Sequence, residues 1–322
     1  MLTRRSLIAA SLSAVAVGAR AAEGGRPGSG TLRIGYQKNG ILVVAKEQGA
    51  IEARLRPLGI TVSWVEFSFG PPLLEALSLG SIAFGQTGDA PPIFAQAAGA
   101  NLVYAAAQPG GGSGSAILLP TGSTIRTLAD LKGKRVAFAK GSSAHNLTIA
   151  ALEKAGLTYR DIEPVILAPA DGAAAFARGS VDAWTVWDPY FAIAERAEGV
   201  RVLAQSADIV PTNTFFLANR TQAEAQPAVI AAAIDALGEV AAWCEANRGS
   251  VAASLSRVTG VPLDATERTV GRTRYTIAPM SPALVAEQQR IADRFHGLGV
   301  IPRPVRVEDI VWAPPAGAAR KG

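Results

Sequence analysis

The chain has 322 residues, of which 49% are hydrophobic and 18% are charged, and its formal net charge is +5. These values are ordinary for a globular protein with a substantial core, and the length indicates about two domains. No block of basic residues marks a nucleic-acid-binding surface, and the single cysteine, Cys244, excludes an internal disulfide. With only two histidines and one cysteine, a metal site built from thiol and imidazole groups is not expected.

The first residues have the pattern of an export signal. Arg4-Arg5 precedes a short, weakly apolar stretch, and Ala19-Arg20-Ala21 has the small-x-small pattern of a cleavage site. The paired arginines and the modest hydrophobicity resemble a twin-arginine signal, with a general secretory peptide as the alternative. We therefore expect a signal peptide at 1–21, cleavage near Ala21-Ala22 and a periplasmic protein. No cysteine lies at the cleavage point, so we expect no lipid anchor there.

After a flexible, Gly-rich lead-in at 22–30, strand-like and helix-like patterns alternate with short connections. This alternation indicates a parallel sheet in an α/β domain. The predicted strands are 31–36, 61–67, 82–86 and 101–107, and the predicted helices are 41–55, 70–79 and one that runs from Pro91-Pro92 to Gly99.

The same alternation begins again after a glycine loop and gives way to a mostly helical third. We interpret the chain as two lobes: lobe 1 comprises 31–115 plus 216–315, and lobe 2 comprises 116–215, with 316–322 as a tail. The chain would cross twice between the lobes and so form a hinge beside a cleft. The predicted strands are 115–119, 135–139, 164–167, 181–185, 200–203 and 215–218; the predicted helices are 143–155, 170–178, 188–197, 223–247, 249–257, 264–271 and 281–297; and 302–315 is predicted to be extended.

The predicted topology places a ligand site at the carboxyl ends of the strands. In open parallel sheets, ligands bind outside those ends. The residues that follow the predicted strands are therefore the candidates: Gln37, Phe69-Gly70, Thr87-Gly88-Asp89, Gly110 to Gly112, Gly141-Ser142-Ser143, Trp187-Asp188 and Thr212 to Thr214.

The segment 140–146, Lys-Gly-Ser-Ser-Ala-His-Asn, has the composition of an anion site. It joins a predicted strand to a predicted helix, so the first N–H groups of that helix have no partner within it and carry the positive end of its dipole. The hydroxyls of Ser142 and Ser143 and the imidazole of His145 add hydrogen-bond donors. A plain helix cap with His145 on the surface is the alternative.

Together these motifs resemble the periplasmic aliphatic-sulfonate-binding proteins of ABC transporters, with taurine, nitrate and thiamine-precursor binding proteins as more distant relatives. The resemblance implies a two-lobed, type II-like receptor that captures alkanesulfonates for sulfur acquisition. It would deliver them to a membrane permease with its ATPase subunits. One departure is the second crossing, Thr212 to Phe216, where a smaller Gly-Ser-Phe-Tyr type of stretch is expected. The matching stretches are 34–38, 64–67, 80–82, 87–100, 130–133, 140–146, 181–184 and 187–190.

The resemblance also implies a set of ligand-binding residues. It places the sulfonate near Ser142, Ser143 and Thr87-Gly88-Asp89, with other residues around it. A sulfonate carries three acceptor oxygens and a full charge, so it requires convergent N–H and O–H donors. The full expected set is Gln37, Thr87, Gly88, Asp89, Gly110, Ser142, Ser143, His145, Trp187, Asp188 and Thr214.

Several of these residues have a second interpretation. Asp89 has the wrong sign for direct contact, so it either caps its own helix or receives a ligand amine. Trp187 either covers the organic part of the ligand or packs in the core. Asp188 before Pro189 is a candidate N-cap with proline in the first helical position. His145 either donates to the anion or lies one turn into the helix.

An enzyme on the same fold is the rival hypothesis. Two enzymes that resemble these receptors are precedents for it: a desulfinase with a cysteine nucleophile, and a pyrimidine synthase that attaches pyridoxal phosphate to a lysine. Cys244 lies far from every predicted strand end, and no pattern beyond Lys38 and Lys140 suggests a pyridoxal phosphate site. We therefore expect a monomeric binding protein without a cofactor, with a receptor for taurine or nitrate as the related alternative.

Overall fold

The structure is a computed structural model that describes residues 30–111 and 113–314. The predicted leader, Gly112 and the tail at 316–322 lie outside these residues, as does the lead-in except for Gly30, which opens the first strand. The first part of the chain forms β1 (Gly30–Tyr36), α1 (Ile41–Gln48), α2 (Ala50–Leu55), β2 (Ile60–Glu66), α3 (Gly70–Ser78), β3 (Phe84–Thr87), α4 (Ala90–Ala97) and β4 (Leu102–Gln108).

The middle of the chain repeats this alternation. It forms β5 (Ser115–Leu119), β6 (Arg135–Phe138), α5 (Ser143–Lys154), β7 (Glu163–Ile166), α6 (Pro169–Ala177), β8 (Ala183–Trp187), α7 (Tyr190–Ala194) and β9 (Arg201–Gln205). The last part forms β10 (Thr214–Asn219), α8 (Arg220–Ala225), α9 (Pro227–Ala246), α10 (Arg248–Thr259), α11 (Leu263–Arg272) and α12 (Pro282–Gly297), followed by a 3-10 turn at Val307–Ile310.

Glycine and proline explain where the structure departs from the predicted helices. The helix predicted over 41–55 divides at Gly49, which adopts the left-handed conformation with φ of 62°. The helix predicted over 223–247 divides before Pro227, because proline cannot donate to the preceding turn and instead starts a new helix. The segment predicted to be extended, 302–315, contains the Val307–Ile310 turn.

Two five-stranded sheets form the two lobes. Their strand orders are β2-β1-β3-β10-β4 and β7-β6-β8-β5-β9. The sheets are mixed, not purely parallel as predicted, because β10 runs antiparallel to β3 and β4, and β5 runs antiparallel to β8 and β9. Both reversed strands enter their sheet from the cleft, where their neighbours end: Ser115 pairs with Trp187, and Thr214 pairs with Gln108.

The crossing strands also shift the predicted lobe boundaries by one or two residues. Ser115 pairs within the second sheet, although we expected it in lobe 1. Thr214 and Phe215 pair within the first sheet, although we expected them in lobe 2. The chain therefore crosses between lobes at 109–114 and at 206–213. From here lobe 1 denotes the β2-β1-β3-β10-β4 sheet with its helices, and lobe 2 denotes the β7-β6-β8-β5-β9 sheet with its helices.

Each sheet is covered by apolar clusters, and the C-terminal helices complete those of lobe 1. Ile230 and Leu237 of α9 belong to the cluster that contains Leu42 of α1, and Phe295 of α12 belongs to the cluster that contains Ile93 of α4. By length and composition alone, α9 could cross a membrane, but one face of it, including Ile230, Leu237 and Cys244, is buried in the lobe 1 core, which is typical of a core helix.

Candidate functional site

A cavity of about 180 Å³ lies between the lobes, at the strand ends that the sequence predicted. Both lobes and both crossing segments line it. All of the predicted site residues line this cavity except Asp89 and His145: Gln37, Thr87, Gly88, Gly110, Ser142, Ser143, Trp187, Asp188 and Thr214. Of the other strand-end candidates, Gly70, Gly111, Thr212 and Asn213 line it as well.

Two helices of different lobes begin at this cavity. The α4 helix begins after Gly88 and Asp89, and α5 begins with Ser142 as its N-cap, in an extended conformation with φ of −98° and ψ of 171°. At the start of α5, the N–H groups of Ser143 and Ala144 have no acceptor within the helix and lie at the positive end of its dipole. The start of α4 differs, because Ala90 N donates to Asp89 Oδ1 and Pro91 and Pro92 have no N–H group. Lobe 1 therefore meets the cavity through the backbone at Gly88, before α4 begins.

Gly88 lies directly against Ser143 at the start of α5. A Cβ atom placed on Gly88 would lie 2.0 Å from Ser143 Oγ, so a side chain at position 88 requires Ser143 or the lobes to shift. Gly88 does not adopt the left-handed backbone conformation, so the reason for glycine at this position is the lack of space for a side chain beside Ser143. The lobes are thus close enough at this point for one anion to contact both.

The three hydroxyls that the sequence suggested as ligand donors already have acceptors within the protein. Ser142 Oγ donates to Ala139 O over 2.7 Å, and Thr87 Oγ1 donates to Gly88 O over 3.1 Å. The Ser143 hydroxyl donates to the carboxylate of Asp89. This arrangement corrects the expectation for these hydroxyls, because the donors left for an anion are backbone N–H groups, above all those of Ser143 and Ala144 at the start of α5.

Asp89 lies below the cavity, fully buried, and joins the lobes. Its Oδ1 accepts from Ala90 N over 2.8 Å, which confirms the predicted helix cap, and its Oδ2 accepts from Asn146 Nδ2 of lobe 2 over 2.8 Å. Burial raises the pKa of Asp89, and its hydrogen bonds with Ser143, Asn146 and Ala90 oppose that rise. Its burial leaves no space for a ligand amine, the other role considered for it.

His145 also lies outside the cavity, which corrects the expectation of a contact with the anion. Its ring stacks on Phe138 of lobe 2, with centroids 4.9 Å apart and planes at 15°, and it lies beside Phe94 and Phe295 of lobe 1. His145 Nδ1 accepts from Gly141 N over 3.3 Å, and Nε2 is buried without a partner among the described residues. Burial, with a smaller effect of Lys140, lowers the pKa of His145 to about 4. The aromatic surroundings, not the helix start, determine its position.

Trp187 and Asp188 contribute the lobe 2 wall. The indole of Trp187 is half-buried. One part of its surface lines the cavity and another part packs on the apolar clusters of lobe 2, so it combines the two roles considered for it, covering a ligand and packing in the core. Helix α7 starts at Tyr190 with Pro189 as its N-cap, so Asp188 is one residue too early to be the cap itself. Its Oδ1 nevertheless accepts from Ala192 N over 3.0 Å.

Arg272, which the sequence did not suggest, spans the cleft at the end of α11. Its Nη1 lies 3.1 Å from Asp188 Oδ1, its Nη2 lies 2.6 Å from Glu195 Oε1, and its guanidinium lies 3.8 Å from the centre of the Phe191 ring. Burial raises the pKa of Asp188, and Arg272 opposes that rise. No local pattern could reveal this bridge, because 84 residues separate the arginine from Asp188.

The crossing segments are held to each other and to lobe 1. Gly110 N donates to Asn213 Oδ1 over 3.1 Å, and Asn213 Nδ2 donates to Glu287 Oε2 over 3.0 Å. Gln108 Nε2 donates to Arg274 O over 2.8 Å. The second crossing, where the sequence departs from its family pattern, therefore uses Asn213 to fasten the first.

Cys244 does not suit the enzyme hypothesis. It lies on α9, fully buried in the lobe 1 core, and does not line the cavity. Burial raises the pKa of its thiol to about 12, so the reactive thiolate is strongly disfavoured.

Comparison with known proteins identifies the family of the chain. A family profile described as "ABC transporter, phosphonate, periplasmic substrate-binding protein" matches residues 66–265. An aliphatic sulfonates-binding protein of Escherichia coli (strain K12) is 45% identical over 285 residues, which cover 88% of this chain and 89% of that protein.

Solved structures show the same fold. The alkanesulfonate-binding protein SsuA from Xanthomonas axonopodis pv. citri, bound to MOPS, is 42% identical, covers 88% of this chain and 98% of its own, and superposes with a TM-score of 0.83. The desulfurization enzyme DSZB shares only the fold, at 17% identity over 88% of this chain and 96% of its own, with a TM-score of 0.64. The chain is a binding protein and not an enzyme: it belongs to the periplasmic substrate-binding proteins of ABC transporters, in the family that includes the aliphatic-sulfonate-binding proteins.

Proposed function

We propose that this protein captures an aliphatic sulfonate in the cavity between its lobes and delivers it to the membrane permease of an ABC importer for sulfur acquisition. The observation that carries the proposal is the start of α5 in lobe 2, which lies at the cavity opposite the backbone of Gly88 in lobe 1. Oriented N–H groups at a helix start bind anions without a countercharge. A ligand held by the α5 start and by the backbone at Gly88 also holds the lobes together.

The chemistry of a sulfonate suits this donor set. Its three oxygens only accept hydrogen bonds, and its charge does not titrate at physiological pH. The N–H groups of Ser143 and Ala144, in the first turn of α5, would meet it from lobe 2, and the backbone at Gly88 would meet it from lobe 1. The half-buried indole of Trp187 would cover the CH₂ groups, because a flat aromatic face removes apolar surface from water.

The names of the relatives support a sulfonate, whereas the family profile names phosphonate as the rival anion. A phosphonate differs in ways that the site would detect. It titrates near neutral pH, so it carries either a second negative charge or a proton that needs its own acceptor. Taurine, itself a sulfonate, and nitrate remain related candidates, and nitrate lacks an organic chain for Trp187 to cover.

Calorimetry with ligands of matched length tests the proposal. Ethanesulfonate should bind with a Kd in the micromolar range or tighter, which corresponds to a binding free energy of about −8 kcal/mol or more favourable. Propionate should bind more weakly, because its two oxygens leave at least one buried donor unpaired at a cost of about 1–3 kcal/mol. Ethylphosphonate should also be weaker. Equal affinity for ethanesulfonate and propionate would contradict the assignment, and tighter binding of ethylphosphonate would favour a phosphonate receptor.

We also propose that the receptor is a monomer exported by the twin-arginine route and cleaved near Ala21-Ala22. The Arg4-Arg5 pair and the Ala19-Arg20-Ala21 pattern support the export part of this proposal. Light scattering of the purified mature protein tests the monomer, and the N-terminal sequence of that protein tests the cleavage site.

A further inference from the structure

The loop at 37–40, between β1 and α1, contains the single Asn-Gly pair of the sequence, Asn39-Gly40. Both residues line the cavity and are partly exposed. In such a pair the backbone nitrogen of the glycine can attack the side-chain carbonyl carbon of the asparagine, because glycine has no Cβ atom to block the approach. Gly40 N donates to no acceptor among the described residues. The pair therefore has the free nucleophile and the access to water that deamidation requires.

The structure requires each member of this pair for a separate reason. Gly40 has a φ of 76°, and a Cβ atom there would lie 2.2 Å from Gln86 Nε2, so a larger residue is strained and crowded. Asn39 joins the lobes, because its Nδ2 donates to Asp188 O of lobe 2 over 3.3 Å. The contact across the cleft and the turn into α1 thus place a chemically labile pair at the cavity wall.

The arrangement with the lobes together restrains the amide of Asn39. Its backbone N donates to Gln37 O over 2.7 Å, its backbone O accepts from Gln86 Nε2 over 3.4 Å, and its side chain is held by Asp188 O. Attack requires the side-chain amide to turn toward Gly40 N. Of the three hydrogen bonds, only the one to Asp188 crosses the cleft, so separation of the lobes frees the side chain and admits water.

We propose that Asn39-Gly40 is a site of spontaneous deamidation, which proceeds in the open receptor and is suppressed when ligand closes the lobes. Gly40 N bonds to Asn39 Cγ, the Cγ–Nδ2 bond breaks, and ammonia leaves with the proton from Gly40 N. Water then opens the cyclic imide at one of its two carbonyl carbons and leaves aspartate or isoaspartate at position 39. The modification goes beyond the proposed function, and only its suppression by ligand rests on that function.

The product changes the cleft in two ways. A carboxylate oxygen replaces the Nδ2 donor opposite Asp188 O, so two acceptors face each other where a hydrogen bond joined the lobes. The new negative charge also lies at the wall of the cavity and repels an anionic ligand. Deamidation of Asn39 therefore weakens both closure and capture of the ligand.

Peptide mass spectrometry tests the site. The mature protein, freed of ligand by dialysis, is incubated for days at mildly alkaline pH, and the converted fraction of Asn39 is measured. Asn213, which also lines the cavity but precedes the β-branched Thr214, is the control in the same digest and should remain unconverted. Saturating ethanesulfonate should slow the conversion of Asn39 about tenfold or more, because it depletes the open state.

Two variants measure the consequence of the modification. Asn39→Asp, which carries the aspartate product, should bind ethanesulfonate about tenfold more weakly than wild type, equivalent to about 1.4 kcal/mol. Asn39→Gln keeps an amide but forms the corresponding larger ring far more slowly, so it should keep its initial affinity throughout the incubation. Wild-type protein should lose affinity in proportion to the converted fraction of Asn39. Thermal unfolding checks that both variants are folded.

Each contrary outcome has a definite meaning. Conversion of Asn39 no faster than that of Asn213 would overturn the inference, and this measurement uses no ligand. Equal rates with and without ethanesulfonate, in protein that calorimetry shows to bind it, would overturn suppression by closure. A folded Asn39→Asp protein with wild-type affinity would overturn the effect on capture. Failure of ethanesulfonate to bind wild type would overturn the proposed function, and conversion in the ligand-free protein would still decide whether Asn39 is modified.

Discussion

Arg272 Nη1 lies 3.1 Å from Asp188 Oδ1, and the two residues belong to different lobes. Their side chains are 17% and 7% exposed, so the ion pair is largely withdrawn from water. It bridges the cleft at the cavity wall, so in this arrangement the lobes are joined by a direct ion pair beside the ligand cavity. If the lobes separate when the cavity is empty, as in a hinged receptor, this pair must break, and we therefore expect it to favour the closed arrangement.

Arg272→Met should weaken ligand binding by at least tenfold. The substitution leaves Asp188 buried without a countercharge, although Glu195 keeps its ion pair with Arg268, and breaking a buried pair in this way costs about 3–5 kcal/mol. That cost falls on the closed state, because in an open cleft water can solvate the carboxylates. Small-angle scattering should show a smaller decrease in radius of gyration with ligand than in wild type, and calorimetry measures the affinity.

Arg306→Met is the matched control for this prediction. Arg306 pairs with the nearby Glu308 at the surface, where its side chain is 72% exposed, and exposed pairs contribute about 0–1 kcal/mol. The ligand affinity and the radius of gyration of the Arg306→Met protein should match those of wild type. An Arg272→Met protein that binds and closes like the control would show that the bridge is not needed for closure.

Gly88→Ala should reduce affinity by about tenfold or more with little change in folding stability. The new Cβ would lie 2.0 Å from Ser143 Oγ, so Ser143 must turn away from Asp89 or the lobes must separate. A clash between lobes penalises closure and not the folding of either lobe. Calorimetry and thermal unfolding measure the two effects separately.

A second substitution should relieve this clash. Ser143→Ala removes the Oγ atom, and the Ser143 Cβ lies a more tolerable 3.3 Å from the new methyl group. The double variant Gly88→Ala/Ser143→Ala should therefore bind more tightly than Gly88→Ala alone. Gly111→Ala is the control, because its Cβ would meet only Arg272 O, at an ordinary 3.7 Å. No recovery in the double variant would show that contact with Ser143 is not the cause.

Acid should destabilise the protein through His145. The pKa of His145 is about 4 in the folded protein and about 6.5 when unfolded, so the unfolded state binds the proton first as pH falls. The stability that this neutral histidine provides is present above pH 6.5 and is lost toward pH 4. The loss between pH 7 and pH 4.5 should be about 2 kcal/mol. Protonation of His145 should not strengthen anion binding, because its ring lies in the aromatic cluster outside the cavity.

Urea unfolding at the two pH values measures this effect. His145→Phe, which keeps a flat apolar ring among Phe138, Phe94 and Phe295, should lose less stability on acidification than wild type by about that 2 kcal/mol. His296→Gln alters the other histidine, which is exposed, and should behave like wild type. If His145→Phe and wild type had parallel pH profiles, a titration of His145 would be excluded as the source.

Arg4→Lys/Arg5→Lys should leave the precursor in the cytoplasm. Twin-arginine export requires the paired guanidinium groups, whereas general secretion accepts any positively charged start. Fractionation of cells that express the full chain measures the change. Arg20→Lys, which conserves charge near the cleavage point, is the control and should be exported normally. Normal processing of the double-lysine protein would instead indicate general secretion.

Local patterns were sufficient for most of the fold and for the position of the cleft. The alternation of short apolar runs with helical patterns predicted each described strand to within a few residues, since strand and helix periodicity are properties of adjacent residues. Strand ends then predicted where the cavity lies, because parallel strands end at a common edge. The direction of β5 and β10 could not be predicted in this way, because it depends on the side from which the chain enters each sheet.

The sequence by itself determined the two-lobed α/β architecture, the helix caps at Asp89 and Ser142, and the glycine and proline positions that end and begin helices. All of these depend on residues close together in the chain. Only the tertiary structure decided which side chains face the ligand. Packing placed the ring of His145 within an aromatic cluster and directed the hydroxyls of Thr87, Ser142 and Ser143 to acceptors inside the protein. It also brought Arg272 into contact with Asp188, 84 residues away in the chain. A side chain's partners are set by packing between distant segments, and no local pattern records them.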